Sequence, residues 1–235
     1  MHLNLSSGYK HFKRYREIAQ ILLKHGFGFL IEILDLKKYL PFKKRFKKHG
    51  DELNKKNFAK RLRLVLEELG PTYIKFGQLL STRADIIAPE FIDELSKLQD
   101  DIAGFDFEKV EKILNEELES DYKKHFTSIS KECHAAASMA QTHKAKLNNG
   151  KDVILKIRRP GIEKKVNTDL EIIENMANIL SNRNIIPAYI EPAKIVAQFK
   201  EDLNNEMDFN RELANIKRFQ ANFLDNPHII VPEVY

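Results

Sequence analysis

Apolar residues recur at helical spacing through most of the first 120 residues. Residues 54–69 collect their apolar side chains on one face and their charged side chains elsewhere, as an amphipathic helix does. Gly70-Pro71 and Ala88-Pro89 mark two further helix starts, because proline lacks the N–H that a first helical turn leaves unpaired. Asp106 has a side chain suited to cap another helix. This half of the chain is therefore predicted to be all-helical.

The opening residues follow the same pattern with interruptions. Two apolar stripes between residues 9 and 48 are separated by Gly26 and Gly28, which favours one or two amphipathic helices. After the second stripe comes a cluster of cations with no acidic residue among them: Lys37, Lys38, Lys43, Lys44, Arg45, Lys47 and Lys48. Such a cluster attracts phosphates on lipid or nucleic acid. A solvated helix face is the simpler explanation, and both interpretations stay open.

The periodicity changes at about Phe126, where apolar and polar residues begin to alternate in places. Asn148-Asn149-Gly150 predicts a hairpin turn, because Asn and Gly tolerate positive φ. The segment from Val153 to Ile157 then has the apolar, β-branched character of a strand. One face of the preceding strand would carry Met139, Gln141, His143, Ala145 and Leu147.

Helical patterns return after this hairpin. The sequence from Thr168 to Glu171 has the form of a capping box, which predicts a helix start at Thr168. A single long helix is predicted from near Pro192, and residues 229–235 would follow it as an apolar, strand-like segment.

That long helix carries three acidic residues whose placement matters. Glu206, Asp208 and Glu212 all lie on it. In a straight helix Glu206 points nearly opposite to Asp208, because residues two apart lie on different faces. The two acids therefore serve one site only if the helix bends or ends between them.

Composition narrows the class of protein. The 235 residues are 43% hydrophobic and 31% charged with a net charge of +5, which is ordinary for a soluble globular protein. The single cysteine, Cys133, excludes an intramolecular disulfide. No apolar run is long enough for a transmembrane helix, and the first residues lack the apolar core of a signal peptide. A secreted disulfide scaffold is not expected.

Two sets of polar residues interrupt apolar elements. Lys156 lies in the middle of an apolar strand, so it needs an acidic partner or a polar ligand, unless the strand is an edge and the lysine reaches solvent. In a protein-kinase small lobe, a strand lysine holds nucleotide phosphates and pairs with a helix glutamate, and Glu212 is the matching candidate here. Lys75 and Gln78 share one helix face. An exposed pair without a role is the simpler explanation for them.

Several motifs, in order, resemble the UbiB/ADCK family of atypical kinase-like proteins, which is implicated in ubiquinone (coenzyme Q) biosynthesis. Lys75 to Gln78 resembles its KxGQ motif, and Glu206 to Asp208 resembles its ExD motif. Ala135 to Gln141 resembles its alanine-rich nucleotide loop. The stretch from Val153 to Lys156, followed by Arg159-Pro160-Gly161, resembles its β3 strand and the turn after it. The resemblance extends over nearly the whole chain.

The resemblance implies an α+β fold with a mostly helical N-terminal extension followed by a protein-kinase-like small lobe, which is a short antiparallel sheet with helices. It divides the chain into a basic amphipathic helical segment (1–50), a helical KxGQ extension (51–121) and a small lobe with a helical insert (122–235). The catalytic residues that it implies are Lys75, Gln78, Glu206, Asp208 and Glu212. The ATP-binding residues that it implies are His134, Ala135, Ala136, Ala137, Ser138, Met139, Ala140, Gln141, Thr142 and Lys156.

By this resemblance, Lys156 would hold the α- and β-phosphates and Glu212 would orient it. Lys75 and Gln78 would point into the cleft near the two acids of the ExD motif, which would restrain protein phosphorylation in favour of small-molecule or ATPase chemistry. The sequence departs from the family pattern at Cys133-His134, where a proline and an aliphatic residue are usual. It departs also at Thr142, usually valine, and at Ile154, often alanine, which would narrow the adenine pocket.

The family also has a large lobe with an HxDxHxGN-like catalytic loop and a DFG-like metal-binding aspartate, and neither motif occurs here. We therefore expect an N-terminal half that binds ATP but holds no ligands for Mg²⁺, with a separately encoded C-terminal half as a partner. The implied setting is cytoplasmic and peripheral at the bacterial inner membrane, with an anionic membrane surface and ubiquinone-biosynthesis proteins as further partners.

The alternative is a truncated, non-catalytic remnant that binds only nucleotide, membrane or partner. Whether the chain is an enzyme stays open. Nucleic acid is not expected as a partner, because the basic cluster lacks interleaved aromatic residues that would stack on bases.

Overall fold

The first half of the chain is a stack of helices. A computed structural model describes residues 5–41, 55–99, 103–119, 121–183, 185–187 and 189–235. Among these residues no strand precedes Phe126, so the predicted all-helical first half is confirmed for the part described. The members of the lysine-rich cluster that follow Lys38 all lie outside the described residues. The helices of this half are α1 (Leu5–Lys24), α2 (Gly28–Ile33), α3 (Lys55–Leu69), α4 (Pro71–Ser81), α5 (Pro89–Leu95) and α6 (Phe107–Glu117).

Glycine permits two local features of the extension. Gly70 has a φ of 95° between α3 and α4, a conformation that a side chain would strain, and Pro71 opens α4 as expected. Gly77 lies where α4 meets its neighbours. A Cβ atom on Gly77 would come within 2.3 Å of Leu98 Cδ1 and 2.7 Å of Leu66 Cδ1. The close approach explains why the helix carries a residue of poor helix propensity.

A small antiparallel sheet follows, made of β1 (Phe126–Ile129), β2 (Ala135–Ala136), β3 (Ala140–Leu147) and β4 (Asp152–Arg158). The central strand, β3, pairs with β4 along one edge and with β1 and β2 along the other. The predicted hairpin turn joins β3 to β4, and Gly150 has a φ of 84° in it. Among the described residues β4 pairs only with β3.

The predicted alternation along β3 is confirmed. Gln141, His143 and Ala145 are buried, whereas Lys144 between them is exposed. On β4, Ile157 is buried and Lys156 is exposed. One face of the sheet therefore packs on the protein, and Lys156 lies on the opposite face.

Three long helices complete the chain: α7 (Ile162–Asn182), α8 (Pro192–Met207) and α9 (Phe209–Asn222). Together with the sheet they confirm the α+β fold class. The first of them does not begin at Thr168, and that prediction was wrong. Gly161, with a φ of 72°, starts α7 directly after the strand, so Thr168 lies inside the helix and its hydroxyl donates to the Lys164 carbonyl over 2.9 Å.

The single long helix predicted from Pro192 is in fact two helices, α8 and α9, which meet at Asp208. The predicted strand-like segment at residues 229–235 forms neither helix nor strand, and it joins no ladder of the sheet. It is held by side chains instead. The Gln220 amide donates to the Pro232 carbonyl over 2.7 Å, and Lys151 lies 2.9 Å from Glu233.

The apolar interior forms two clusters. The larger one joins α1 to α5 with α7 and α8, and it also takes in Met139 from the loop before β3. The smaller one lies between α6 and the sheet and contains Val110, Leu114, Tyr122 and Ile157. Because the larger cluster draws on both sides of residue 121, helical extension and small lobe share one core. The domain boundaries at 50 and 121 stay a prediction.

A buried ion pair ties the first helix to α7. Arg14 donates to both carboxylate oxygens of Asp169, over 2.6 and 3.0 Å, and also to the Leu69 carbonyl over 2.7 Å. Asp169 is fully buried. Burial lowers the pKa of Arg14, but the hydrogen bonds and charge of Asp169 outweigh it and hold that pKa above its ordinary value. The guanidinium therefore stays charged and bridges α1, α3 and α7.

Replacing Asp169 by asparagine should be strongly destabilising. We expect Asp169→Asn to lower the free energy of unfolding by about 3 kcal/mol or more, because the buried Arg14 charge would keep only the half-exposed Glu17, 2.9 Å away, as a counter-charge. Urea unfolding followed by circular dichroism measures the change.

The matched control is Glu171→Gln on the same helix. Glu171 is exposed and lies 2.7 Å from His11, so its loss should cost about 0–1 kcal/mol. Equal costs for the two variants would show that the buried pair has no special weight.

Candidate functional site

Lys75 on α4 reaches across to α8. Its Nζ atom lies 2.9 Å from Glu206 Oε1, and the lysine side chain is only 20% exposed. The contact links the KxGQ helix to the ExD segment, as the resemblance implied. Through this contact α4 of the extension is joined to α8.

Gln78 does not join this contact. Its side-chain amide donates to the Leu98 carbonyl over 3.1 Å, at the turn that follows α5. In this structure Gln78 therefore links α4 to the turn after α5, within the helical extension. Of the predicted pair, only Lys75 contacts an acid of the ExD segment.

Asp208 forms the junction between α8 and α9. It leaves helical geometry with a φ of −93° and a ψ of 94°, and its carboxylate accepts a hydrogen bond from the Asn210 amide over 3.0 Å. An aspartate at an N-cap satisfies one of the amides that a helix start leaves unpaired. The helix therefore ends between Glu206 and Asp208, which is the condition under which both acids could serve one site.

Lys156 and Glu212 form the ion pair expected of a kinase small lobe. Lys156 Nζ lies 2.6 Å from Glu212 Oε2 and 4.8 Å from the centre of the Phe209 ring. The two charged side chains are 43% and 47% exposed. Both side chains remain accessible to a ligand. The carboxylate of Glu212 is the acidic partner that a lysine in an apolar strand needs.

A cavity of about 660 Å³ lies beside this ion pair. Its size is in the range usual for small-molecule sites, roughly 300–1,000 Å³. Its lining brings together predicted site residues from two elements, Lys156 of β4 and Asp208 of the α8–α9 junction. The other polar side chains that line it are Glu117, Arg158, Glu163, Asn167, Asn204 and Asn210.

The alanine-rich segment is a short hairpin whose outer strand, β2, is separated from the strand of Lys156 by β3. The amides of His134 and Ala137 donate to the carbonyls of Thr142 and Ala140, each over 2.8 Å. Ala135 pairs with Thr142, and Thr142 pairs with Lys156. Directly paired residues share a face of the sheet, so Ala135 and Thr142 line the same face as the lysine.

Residues 134–137 are largely exposed, but the tip of the hairpin is not. Ser138 and Met139 are 1% and 4% exposed, and Met139 packs into the larger core cluster. The Ser138 hydroxyl is buried and makes no hydrogen bond within the described residues. Their side chains point away from the exposed part of the loop, so only the backbone of the tip could contact a nucleotide.

Gln141 was predicted to bind nucleotide, and the structure turns its side chain the other way. Its amide accepts from the Phe105 N–H over 2.7 Å, donates to the Phe105 carbonyl over 3.1 Å, and lies 2.8 Å from His143 Nε2. Period-two alternation places Gln141 on the packed face, opposite Thr142. Its side chain is fully committed to holding the hairpin against Phe105.

Arg159 is a residue whose contacts the sequence did not reveal, although its motif was recognised. It bonds two chain segments that lie 22 and 56 residues away, at Ala137 and Ala103. No local pattern predicts such long-range contacts. The same holds for Arg158, which donates to the Met207 carbonyl over 3.4 Å beside the cavity.

Two kinds of feature are absent from the described residues. They contain no group of three or more His, Cys, Asp or Glu side chains placed to hold a metal ion. None of their helices is both long and apolar enough to cross a bilayer.

Comparison with known proteins places this arrangement in context. Residues 97–235 match the model of the ABC1 atypical kinase-like domain. The chain is similar to the probable protein kinase UbiB of Vibrio cholerae, with 35% identity over 94% of this chain and 41% of that protein. It is similar also to the probable protein kinase UbiB of Cellvibrio japonicus, with 37% identity over 75% of this chain and 32% of that protein. The chain thus spans less than half the length of these curated relatives.

A solved structure shares the fold. Mycobacterium tuberculosis Rv3197, determined in complex with erythromycin, superimposes with a TM-score of 0.51 and 27% sequence identity. The match covers 77% of this chain and 46% of that one.

The cap at Asp208 can be tested by a pair of substitutions. We expect Asp208→Ala to lower the free energy of unfolding by about 1 kcal/mol, because the first turn of α9 loses its capping acceptor. Amide exchange at Asn210 should quicken, and chemical denaturation together with hydrogen exchange measures both effects.

Asp208→Ser is the matched control, since serine supplies an equivalent acceptor and should preserve most of the stability. If alanine and serine behave alike, the carboxylate does not act as a cap.

Proposed function

The chain belongs to the ABC1 atypical kinase-like family, and from this premise we propose that it is the nucleotide-binding N-terminal part of a UbiB-like atypical kinase or ATPase that supports ubiquinone biosynthesis. The observation that carries the proposal is the Lys156–Glu212 ion pair, 2.6 Å long, beside a cavity that Asp208 also lines. The ubiquinone role rests on the UbiB names of the relatives.

The cavity lining carries two cations, Lys156 and Arg158, and three carboxylates, Glu117, Glu163 and Asp208. Lys156 would contact the phosphates of a nucleotide, with Arg158 as a second cation nearby. A partly exposed lysine that is held by a carboxylate is positioned without being fully neutralised, so it can exchange a hydrogen bond for one to phosphate. Residues 134–137 do not line the cavity, but they share the face of the sheet that carries Lys156, so they would approach phosphates bound to that side chain.

Magnesium would need ligands beyond those of the described residues, since these contain no cluster of three candidate ligands. A nucleotide normally brings Mg²⁺ to such a site through its own phosphates. A C-terminal half, corresponding to the part of the relatives that this chain does not span, would supply the remaining carboxylates and the catalytic loop. Within this chain, Lys156 and Glu212 bind and orient the phosphates.

The contact between Lys75 and Glu206 supports a role in selecting the substrate. It joins α4 to α8 over 2.9 Å and so ties the extension to the helix that ends next to Asp208, a residue of the cavity lining. An extension held there would obstruct a protein substrate more than a small molecule. The proposal therefore includes small-molecule or ATPase chemistry in preference to protein phosphorylation.

A second candidate function is a non-catalytic module that binds nucleotide, membrane or partner. Exposed aromatic residues on the first two helices, Tyr9, Phe12 and Phe29, would suit peripheral contact with an anionic inner-membrane surface. Nucleotide binding is common to both candidates, so it is the property to test first.

The lysine of the ion pair should determine nucleotide affinity. We expect Lys156→Ala to weaken binding of a fluorescent ADP analogue about tenfold or more, because a charge-assisted hydrogen bond to phosphate would be lost. Fluorescence anisotropy titration measures the affinity, with and without Mg²⁺.

Lys146→Ala is the matched control. Lys146 lies on the neighbouring strand, where it forms a comparable ion pair with Asp152 at 2.8 Å. It should leave the affinity unchanged. Wild-type binding that Lys156→Ala does not affect would remove this cavity from consideration as the nucleotide site.

A further inference from the structure

Arg159, which follows β4, bonds two segments that are distant in sequence. Its backbone N–H donates to the Met139 carbonyl over 2.9 Å. Its guanidinium Nε donates to the Ala137 carbonyl, and Nη2 donates to the Ala103 carbonyl, each over 2.9 Å. One arginine therefore contacts the alanine-rich hairpin twice and the segment that leads into α6 once.

The guanidinium is also packed. It lies 5.8 Å from the centre of the Phe105 ring, a distance at which a cation is attracted to the ring face. Phe105 is itself bonded through its N–H and its carbonyl to Gln141. Segment 103–105 is thus joined to the hairpin by two side chains, Arg159 at one end and Gln141 at the other.

Gly104 permits this close approach. A Cβ atom there would lie 3.1 Å from Gln141 Oε1 and 3.3 Å from both the Cβ and the Sγ of Cys133. A side chain at this position would press on both neighbours. The backbone of the segment therefore packs directly against the side chains of Gln141 and Cys133.

The sheet itself does little to fix the outer strand of the hairpin. Its outer strand, β2, is only two residues long and pairs with β3 at Ala135 and Ala136. Strands this short contribute few ladder bonds, so their placement depends on contacts from outside the sheet. The bonds from Arg159 supply such contacts at Ala137 and Met139, next to the exposed residues that face the Lys156 side.

We propose that Arg159 is a positioning residue: it clamps the alanine-rich hairpin (134–142) against segment 103–105 and thereby sets the affinity of the hairpin for nucleotide. The inference rests on the proposed nucleotide-binding function and adds to it a residue that would not contact the ligand. A clamped loop loses less conformational freedom when it covers phosphates, and affinity gained in this way needs no additional contact.

Two variants of Arg159 test the clamp. Arg159→Gln removes the charged, forked donor, while Arg159→Lys keeps the charge but can satisfy only one of the two carbonyls. Both carbonyls belong to exposed residues, Ala103 and Ala137, so water can replace the lost donors and the variants should fold. Arg183→Gln is the control, because Arg183 also donates to a distant carbonyl, that of Glu32 over 3.2 Å, far along the chain from the hairpin.

Two measurements on the full chain are needed. Hydrogen exchange at His134 and Ala137, whose amides close the hairpin, should quicken in Arg159→Gln without added nucleotide. Affinity for the fluorescent ADP analogue should fall about tenfold, since two hydrogen bonds to a charged donor are lost. Arg159→Lys should recover part of both effects, and Arg183→Gln should change neither. Thermal unfolding should stay close to wild type.

The outcomes separate the clamp from the proposed function. If wild type binds the analogue and Arg159→Gln binds it equally well, the clamp does not set affinity and the inference is wrong. Unchanged exchange at His134 and Ala137 would overturn it as well. If wild type fails to bind while Arg159→Gln still speeds exchange, the proposed nucleotide function fails and with it the link to affinity, whereas the clamp itself stands.

Discussion

The buried bond between Arg14 and Asp169 determines how the helices meet. The same guanidinium donates to the Leu69 carbonyl, one residue before Gly70. It therefore fixes α1, α7 and the point at which the chain turns into α4. Lys75 is carried on α4, and Glu206 is carried on α8, which packs on α7. Buried charges are costly to leave unpaired, so this junction tolerates little rearrangement. The position of the KxGQ helix therefore depends on the contacts of Arg14, a residue outside the KxGQ motif.

The ion pair between Lys156 and Glu212 is of a different kind. It is nearly half exposed, and exposed pairs contribute little to stability. The helical core and the hairpin contacts hold the elements together, and this ion pair is left accessible to a ligand. A binding site requires such a separation, because a charged group that is fully buried and paired within the fold cannot also bind phosphate.

Local chemistry predicted the parts of the fold that local chemistry controls. The turn at Asn148 to Gly150 and the helix start at Pro71 depend on φ preferences within a few residues, and both were found. The capping box at Thr168 was misleading because Gly161 had already started the helix seven residues earlier. The break at Asp208 was foreseen only as a condition, since helical periodicity continues across it. Gln141 and Arg159 act through partners dozens of residues away, which no window of sequence contains. Motif resemblance supplied the site residues, but it could not tell which of them point away from the cleft.

The sheet leaves one long edge open. Among the described residues, β4 pairs with β3 alone, so its outer backbone groups are available to any extended segment that approaches. Natural proteins guard such edges against unwanted strand addition by placing charged side chains along them. β4 carries Asp152, Lys156 and Arg158, and Ile154 between them is 54% exposed. Lys156, which we propose to bind phosphate, is thus also one of the charges that guard this edge against strand addition. A substitution at this position would therefore alter the protection of the edge as well as any binding of phosphate.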